Sequence, residues 1–96
     1  MAQQAIVVNK KDNVATALQQ LEKGDSVIIE IDNVAFEVLL SQPVQFGHKF
    51  ALDNIEQGNA IIKYGEKIGI ASLKITQGEH VHLHNVEGFR GRGDKI

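Results

Sequence analysis

Three of the chain's four histidines, His80, His82 and His84, alternate with aliphatic residues in the run Gly78-Glu79-His80-Val81-His82-Leu83-His84. On a β-strand, residues two apart point to one face, so an extended segment over 80–86 would show three imidazoles on one side. Val81 and Leu83 would then face the core, and the histidines would face solvent, a cleft or a partner. Imidazole ligates divalent metals and exchanges protons near neutral pH. Strand geometry sets His80 and His84 about 13 Å apart. One ion with bonds of about 2 Å takes two adjacent members of such a row but hardly all three. A metal site here needs further ligands: Glu79, His48 or residues of another chain. Without a metal the row is a polar strand face whose imidazoles hydrogen-bond or pack.

A second group is Gly47-His48-Lys49. A loop glycine lets the backbone come close to a ligand. His48 can move a proton, and Lys49 can hold a carboxylate or phosphate as a point charge. Phe46 and Phe50 flank the pair and would anchor the loop. Read plainly, this is a surface loop pinned by two aromatics. In Lys63-Tyr64-Gly65, Tyr64 reads as a rim packing residue and Lys63 as solvated. Arg90 and Arg92 stand among glycines near the end of the chain, where they could contact an anion or dock on a partner. Arg92-Gly93-Asp94 spells the integrin-binding tripeptide, a reading that a cysteine-free chain with no leader-like start does not favour.

These residues must be positioned by a small body. The sequence has 96 residues, which predicts one domain with no room for a second core. So short a chain hardly builds a deep enclosed site beside its core. A binding module, or a subunit that completes a site on a partner, is therefore expected. Cysteine is absent, which excludes disulfides and thiolate chemistry. Net charge −2 argues against a general nucleic-acid binder. No apolar run is long enough to span a membrane, and the start lacks a signal-peptide pattern, so a cytoplasmic protein is expected.

The elements follow from local pattern. Residues 6–8 read as a first strand. Asp12 or Asn13 can cap a helix whose stripe is Val14, Ala17, Leu18 and Leu21, ended by Gly24. Residues 26–31 and 34–40 read as a hairpin turned at Asp32-Asn33 and closed by Pro43. Residues 45–52 read as a loop with one helical turn. Residues 60–64 and 67–73 read as two more strands turned by Gly65-Glu66, and 80–86 as the last. From Gly88 the chain is Gly- and charge-rich and reads as a flexible tail over 88–96, after a domain over 1–87.

One device recurs. Leu21-Glu-Lys-Gly24-Asp-Ser-Val27, Ile55-Glu-Gln-Gly58-Asn-Ala-Ile61 and Ile75-Thr-Gln-Gly78-Glu-His-Val81 share an aliphatic residue, two polar residues, a glycine, and an aliphatic three places later. Physically this is a tight turn launching a strand whose inward face the second aliphatic sets. The unequal spacings exclude a solenoid and suggest a compact, barrel-like all-β body.

The ordered segments Asp12-Asn13-Val14-Ala15, Gly47-His48-Lys49-Phe50-Ala51-Leu52, Ile62-Lys63-Tyr64-Gly65, Ile68-Gly69 and Gly78-Glu79-His80-Val81-His82-Leu83-His84-Asn85 resemble the N-terminal SAF-type domain of the altronate dehydratase family. That family includes galactarate dehydratase and the two-subunit sulfolactate sulfo-lyase. The resemblance implies a mainly β fold, a SAF-type β-clip with one short α-helix. It implies β-elimination from a hydroxy acid, assisted by a divalent metal, Fe2+ or Mn2+, with the large catalytic domain or subunit elsewhere. On this reading the chain is a small subunit or an N-terminal domain, inactive alone, that completes the site of a large dehydratase partner acting on a sugar acid or other hydroxy acid. Nucleic acid and membrane are not expected partners. His48 and Lys49 become the expected catalytic residues, with His48 the acid/base or leaving-group donor and Lys49 the carboxylate anchor. Lys63, Arg90 and Arg92 are expected to bind substrate, and His80, His82 and His84 to be metal ligands. The histidine row looks closer to the altronate branch than to the galactarate branch. A non-catalytic SAF binding module and a sulfo-lyase small subunit are the alternatives.

Overall fold

A glycine at the third position of a four-residue turn relieves the clash that a positive φ imposes on other residues, which permits a type II turn. In the computed structural model, which describes residues 3–88, this turn organises the whole chain. Gly24, Gly58 and Gly78 all take φ near +90°, as the repeat predicts, and so does Gly47. Val44-Gln45-Phe46-Gly47-His48-Lys49-Phe50 is thus a fourth copy, which the sequence analysis read as irregular loop. In each copy the residue after the glycine donates its backbone N–H across the turn: Asp25 to Glu22, His48 to Gln45, Asn59 to Glu56 and Glu79 to Thr76. The aliphatic before each turn (Leu21, Val44, Ile55, Ile75) and the apolar residue three after each glycine (Val27, Phe50, Ile61, Val81) are buried. Leu21 bridges Val44 and Ile55 bridges Ile75, so the copies pair in twos.

The elements are β1 (Ala5–Ile6), β2 (Val14–Ala17), β3 (Ser26–Ile31), β4 (Val34–Leu39), β5 (Lys49–Ala51), β6 (Ala60–Lys63), β7 (Glu66–Ala71), β8 (His80–Val81) and β9 (Val86–Glu87). They form three antiparallel sheets, ordered β1-β2-β5-β8, β3-β4 and β6-β7-β9, so the expected barrel is instead a set of short sheets. The mainly β class is as expected. Both predicted hairpins form. Asp32 and Asn33 take φ +52° and +67°, the conformation a two-residue hairpin turn needs. The second turn falls on Tyr64-Gly65, one residue earlier than predicted, because Lys63 pairs with Glu66.

The predicted helix is absent among the described residues. Val14–Ala17 is strand β2, bonded to β1 on one side and β5 on the other. Leu18, required by the helical stripe, is exposed, while Ala15, outside it, is buried. The cap candidates serve other backbones. Asn13 donates from Nδ2 to the Ala60 carbonyl at 2.9 Å and accepts from the Ile62 N–H at 2.7 Å. Asp12 Oδ1 accepts the Gly65 N–H at 2.8 Å. Pairing on both edges of β2 outweighs a helix propensity that is only a weak local preference.

The buried side chains form two clusters where one core was expected. Leu21, Val27, Ile29, Val38, Leu40, Val44, Phe50 and Leu52 lead the first; Val14, Ala51, Ile55, Ile61, Ile75 and Val81 lead the second. Strands β2 and β5 serve both, since Ala15 and Phe50 fall in the first cluster and Val14 and Ala51 in the second. Alternation along a strand shared by two cores produces this division. The shared sheet is the platform of the site.

Candidate active site

Strand β5 pairs antiparallel with β8, Phe50 opposite His80 and Lys49 opposite Val81. One more step of this register sets His48 against His82. Cross-strand neighbours approach within side-chain contact, and the two rings stack with centroids 4.1 Å apart. The diagonal neighbour His80 places Nε2 2.9 Å from His48 Nδ1. The pairing register therefore brings together histidines 32 positions apart in sequence.

Strand β8 ends at Val81, not at 86 as the alternation predicts. The cause is Asn85, which is 2 % exposed. Its Nδ2 donates to the His80 carbonyl at 2.9 Å, and its Oδ1 accepts the His82 N–H at 3.0 Å. Both ends of one buried amide thus hold residues 80–85 in a turn. The turn brings His84 to 5.3 Å from His80, centroid to centroid, in place of the 13 Å of an extended strand. It also leaves Leu83 83 % exposed, against the expectation that it faces the core. Asn85 is a positioning residue that the sequence reading did not single out; an asparagine ending an alternating run was the available signal.

His48, His80 and His82 are half-buried, and each offers one ring nitrogen within 4.8 Å of the other two. Of the metal ligands expected from sequence, His80 and His82 fall in this group, His48 stands with them, and His84 stands at its exposed edge. The carboxylate candidate Glu79 is committed elsewhere, since its Oε1 accepts from the Thr76 N–H and hydroxyl, both at 2.6 Å. Three imidazoles suit a borderline divalent ion. Burial, followed by the neighbouring charges of His48, His84, His82 and Lys49, holds the His80 pKa below the ordinary histidine value. His82 is lowered too, by burial first and then by His48, Lys49 and His84. The neutral forms of His80 and His82, the forms that ligate metals, are favoured.

Lys49 leaves the opposite face of β5 and lines a mostly apolar pocket with Ile61, Ile68, Val81, His82, Leu83 and Val86. Burial, and secondarily the Lys63 charge, lowers the Lys49 pKa. Lys63 is half-buried, with its Nζ 4.9 Å from the centre of the Tyr64 ring, so it is not simply solvated; Tyr64 is half exposed, as a rim residue should be. Lys49 and His82 thus line one pocket, and Lys63 is near enough to Lys49 to act on it electrostatically. Phe50 is buried, but Phe46 is 70 % exposed, so a single aromatic anchors the His48 turn. Arg90, Arg92 and the 89–96 portion of the expected tail lie outside the described residues.

No helix among the described residues is long and apolar enough to cross a membrane. The altronate dehydratase of Escherichia coli (strain K12) is 48 % identical over 82 residues, which are 85 % of this chain and 16 % of that protein. The altronate dehydratase of Bacillus subtilis (strain 168) is 40 % identical over the same shares. The chain therefore spans about one sixth of these two enzymes. The (2R)-sulfolactate sulfo-lyase subunit alpha of Paracoccus pantotrophus is 36 % identical over 63 residues, 66 % of this chain and 94 % of that subunit. The family model of the altronate/galactarate dehydratase SAF domain matches residues 3–88, from the first described strand through the imidazole turn, and the chain belongs to that family.

Proposed function

We propose that this SAF domain forms one wall of the active site of a carbon–oxygen hydro-lyase of the altronate dehydratase type. A large catalytic partner, as a separate subunit or as further sequence in a longer chain, supplies the rest, and the assembled enzyme works in the cytoplasm. The observation that carries this reading is the placement of Lys49 beside the imidazole cluster, on an exposed sheet end, in a chain of this family.

The chemistry suits the arrangement. In a β-elimination the C–H bond beside the carboxylate breaks and its proton goes to a base. The electron pair forms the new double bond, and the C–O bond to the leaving hydroxide breaks. The enol product then tautomerises to a 2-keto-3-deoxy acid. The developing enediolate and the carboxylate both need positive charge. Lys49, with Lys63 nearby and Arg90 and Arg92 from the C-terminal segment, supplies it as a carboxylate anchor. The departing hydroxide needs a proton or a cation. His48 meets that need as a proton donor, or as a ligand if the rings hold an ion. A divalent metal, Fe2+ or Mn2+, would act when bound as a Lewis acid toward the enediolate.

The test is turnover of altronate by the chain alone, by the large partner alone and by the mixture. Metal-dependent activity in the mixture only is expected, and Lys49→Met should reduce it by about 100-fold. Full activity of the isolated chain would overturn the division of labour. Unchanged turnover of both His48→Ala and Lys49→Ala in the assembled enzyme would make this a non-catalytic binding module. One observation favours a second substrate: the sulfo-lyase subunit alpha is matched over 94 % of its length. In that reading the same wall serves elimination of sulfite from sulfolactate, and sulfite release in the same mixture identifies it.

A further inference from the structure

We propose that His48, His80 and His82 form a three-imidazole site for one divalent first-row transition metal, carried by this chain alone, with His84 outside it. This deepens the lyase reading, in which a metal serves the assembled enzyme, but it is tested as binding and not as turnover.

Three features of the site support it. The donors converge from separate pieces of backbone, each fixed. His48 closes a type II turn through its N–H to the Gln45 carbonyl at 2.9 Å. His80 donates its N–H to Gln42 Oε1 at 2.9 Å and pairs across from Phe50. His82 is tied to buried Asn85. A site whose backbone is set before the ion arrives loses less entropy on binding.

The spacing is also near what an ion requires. Bonds of about 2.1 Å separate cis or tetrahedral donors by about 3.0–3.4 Å. One pair already stands at 2.9 Å, joined by a hydrogen bond whose proton a bound ion would displace to the other ring nitrogen or to solvent, and all three nitrogens lie within 4.8 Å. His84 is exposed and its ring nitrogens are not among those that converge, while the three proposed ligands are half-buried.

The donor set selects the ion. Three neutral nitrogen donors with no carboxylate among them favour Fe2+, Co2+, Ni2+ or Zn2+ over Mn2+, and disfavour Mg2+ and Ca2+, which take oxygen ligands. The ammonium of Lys49 adds like charge near the rings, so an anion is the complement that both the ion and Lys49 would share.

The experiment titrates Co2+ and Zn2+, then Mn2+ and Mg2+, into the 96-residue chain by calorimetry at pH 7.5, with the visible spectrum of Co2+ as a second readout. One ion per chain is expected, with Zn2+ and Co2+ bound more tightly than Mn2+, and Mg2+ not bound. His84→Ala should bind as the wild type does. His48→Ala, His80→Ala and His82→Ala should each weaken binding by at least about 100-fold. NMR of the wild type needs no variant: Zn2+ should shift the imidazole signals of His48, His80 and His82 and leave those of His84. No binding by the folded wild type, or loss of binding in His84→Ala but not in His82→Ala, would overturn the proposal. Metal binding by the chain without turnover in the mixture would sink the lyase reading alone. Turnover in the mixture that survives His82→Ala, with no binding by the chain, would sink the metal site alone.

Discussion

The turns at Gly24 and Gly47 share a glycine conformation, a bridge between Leu21 and Val44, and a buried residue three places on. Yet the first launches the six-residue arm of a hairpin, and the second a three-residue strand that carries the site. The turns at Gly58 and Gly78 divide in the same way, into hairpin β6-β7 and the two-residue strand β8. Each bridged pair thus holds one copy that builds the frame and one that builds chemistry. Within the pair at Gly24 and Gly47 the residue after the glycine is also used differently, whereas the Gly78 copy closes its turn as the Gly24 copy does. Asp25 turns back to accept the Glu22 N–H at 2.8 Å, and Glu79 does the same for Thr76. His48 instead turns to His80. A side chain released from closing its own turn becomes available to a neighbour, and a strand that stops early leaves that neighbour exposed.

The comparison can be broken most forcefully at the glycines. A Cβ on Gly78 would overlap the Leu39 carbonyl oxygen, in addition to the positive-φ strain, whereas one on Gly58 meets open space. Gly78→Ala should cost about 3 kcal/mol or more, and Gly58→Ala about 1–2 kcal/mol, read from denaturant midpoints. Equal losses would mean that only the turn conformation matters and that the packing of the site-building copy does not.

Asn85→Ala comes next. It leaves the His80 carbonyl and the His82 N–H without their partner and should cost about 2 kcal/mol. The same change should alter the imidazole NMR signals of His82 more than those of His48. Uniform shifts would show that Asn85 does not position His82.

Acid offers a milder probe. His80 and His82 have folded-state pKa values below the ordinary histidine value, so the unfolded chain takes up protons first as the pH falls. Their contribution is neutral at high pH and becomes destabilising as pH drops through the unfolded value of about 6.5. Thermal stability should therefore fall between pH 7.5 and 5.5, and His80→Gln should flatten that slope. An unchanged slope in the variant would place the proton uptake elsewhere.

The smallest expected effect is the most direct. His48→Asp gives the Gly47 copy the residue that closes the Gly24 copy. Stability should change by less than about 1 kcal/mol, while the imidazole stack at His82 is lost. A loss as large as that of Gly78→Ala would show that the cluster itself holds the fold.

Much of this was legible in the chain. Gly24, Gly58 and Gly78 announced three turns because a glycine between polar residues, with aliphatics three before and three after, states both a φ requirement and a core direction. The fourth copy was masked because Phe50 is aromatic where the others are aliphatic, and Phe46 stands where they carry a polar residue. The segment after Asp12 misled because Val14, Ala17, Leu18 and Leu21 satisfy a helical period by chance. What sent Val14–Ala17 into a sheet was β1 and β5 on its two edges, and neither is local. The histidine row was visible, but its geometry was not.

The sequence by itself therefore determined the mainly β class, the hairpins, the family and the residue types of the site. All of these rest on short-range pattern, on φ preferences, or on an ordered set of segments. The tertiary structure decided which histidines meet. The β5–β8 register set His48 against His82, and one buried asparagine turned an extended row of 13 Å into a cluster. Register and burial are properties of distant backbones brought together, so no window of the sequence contains them.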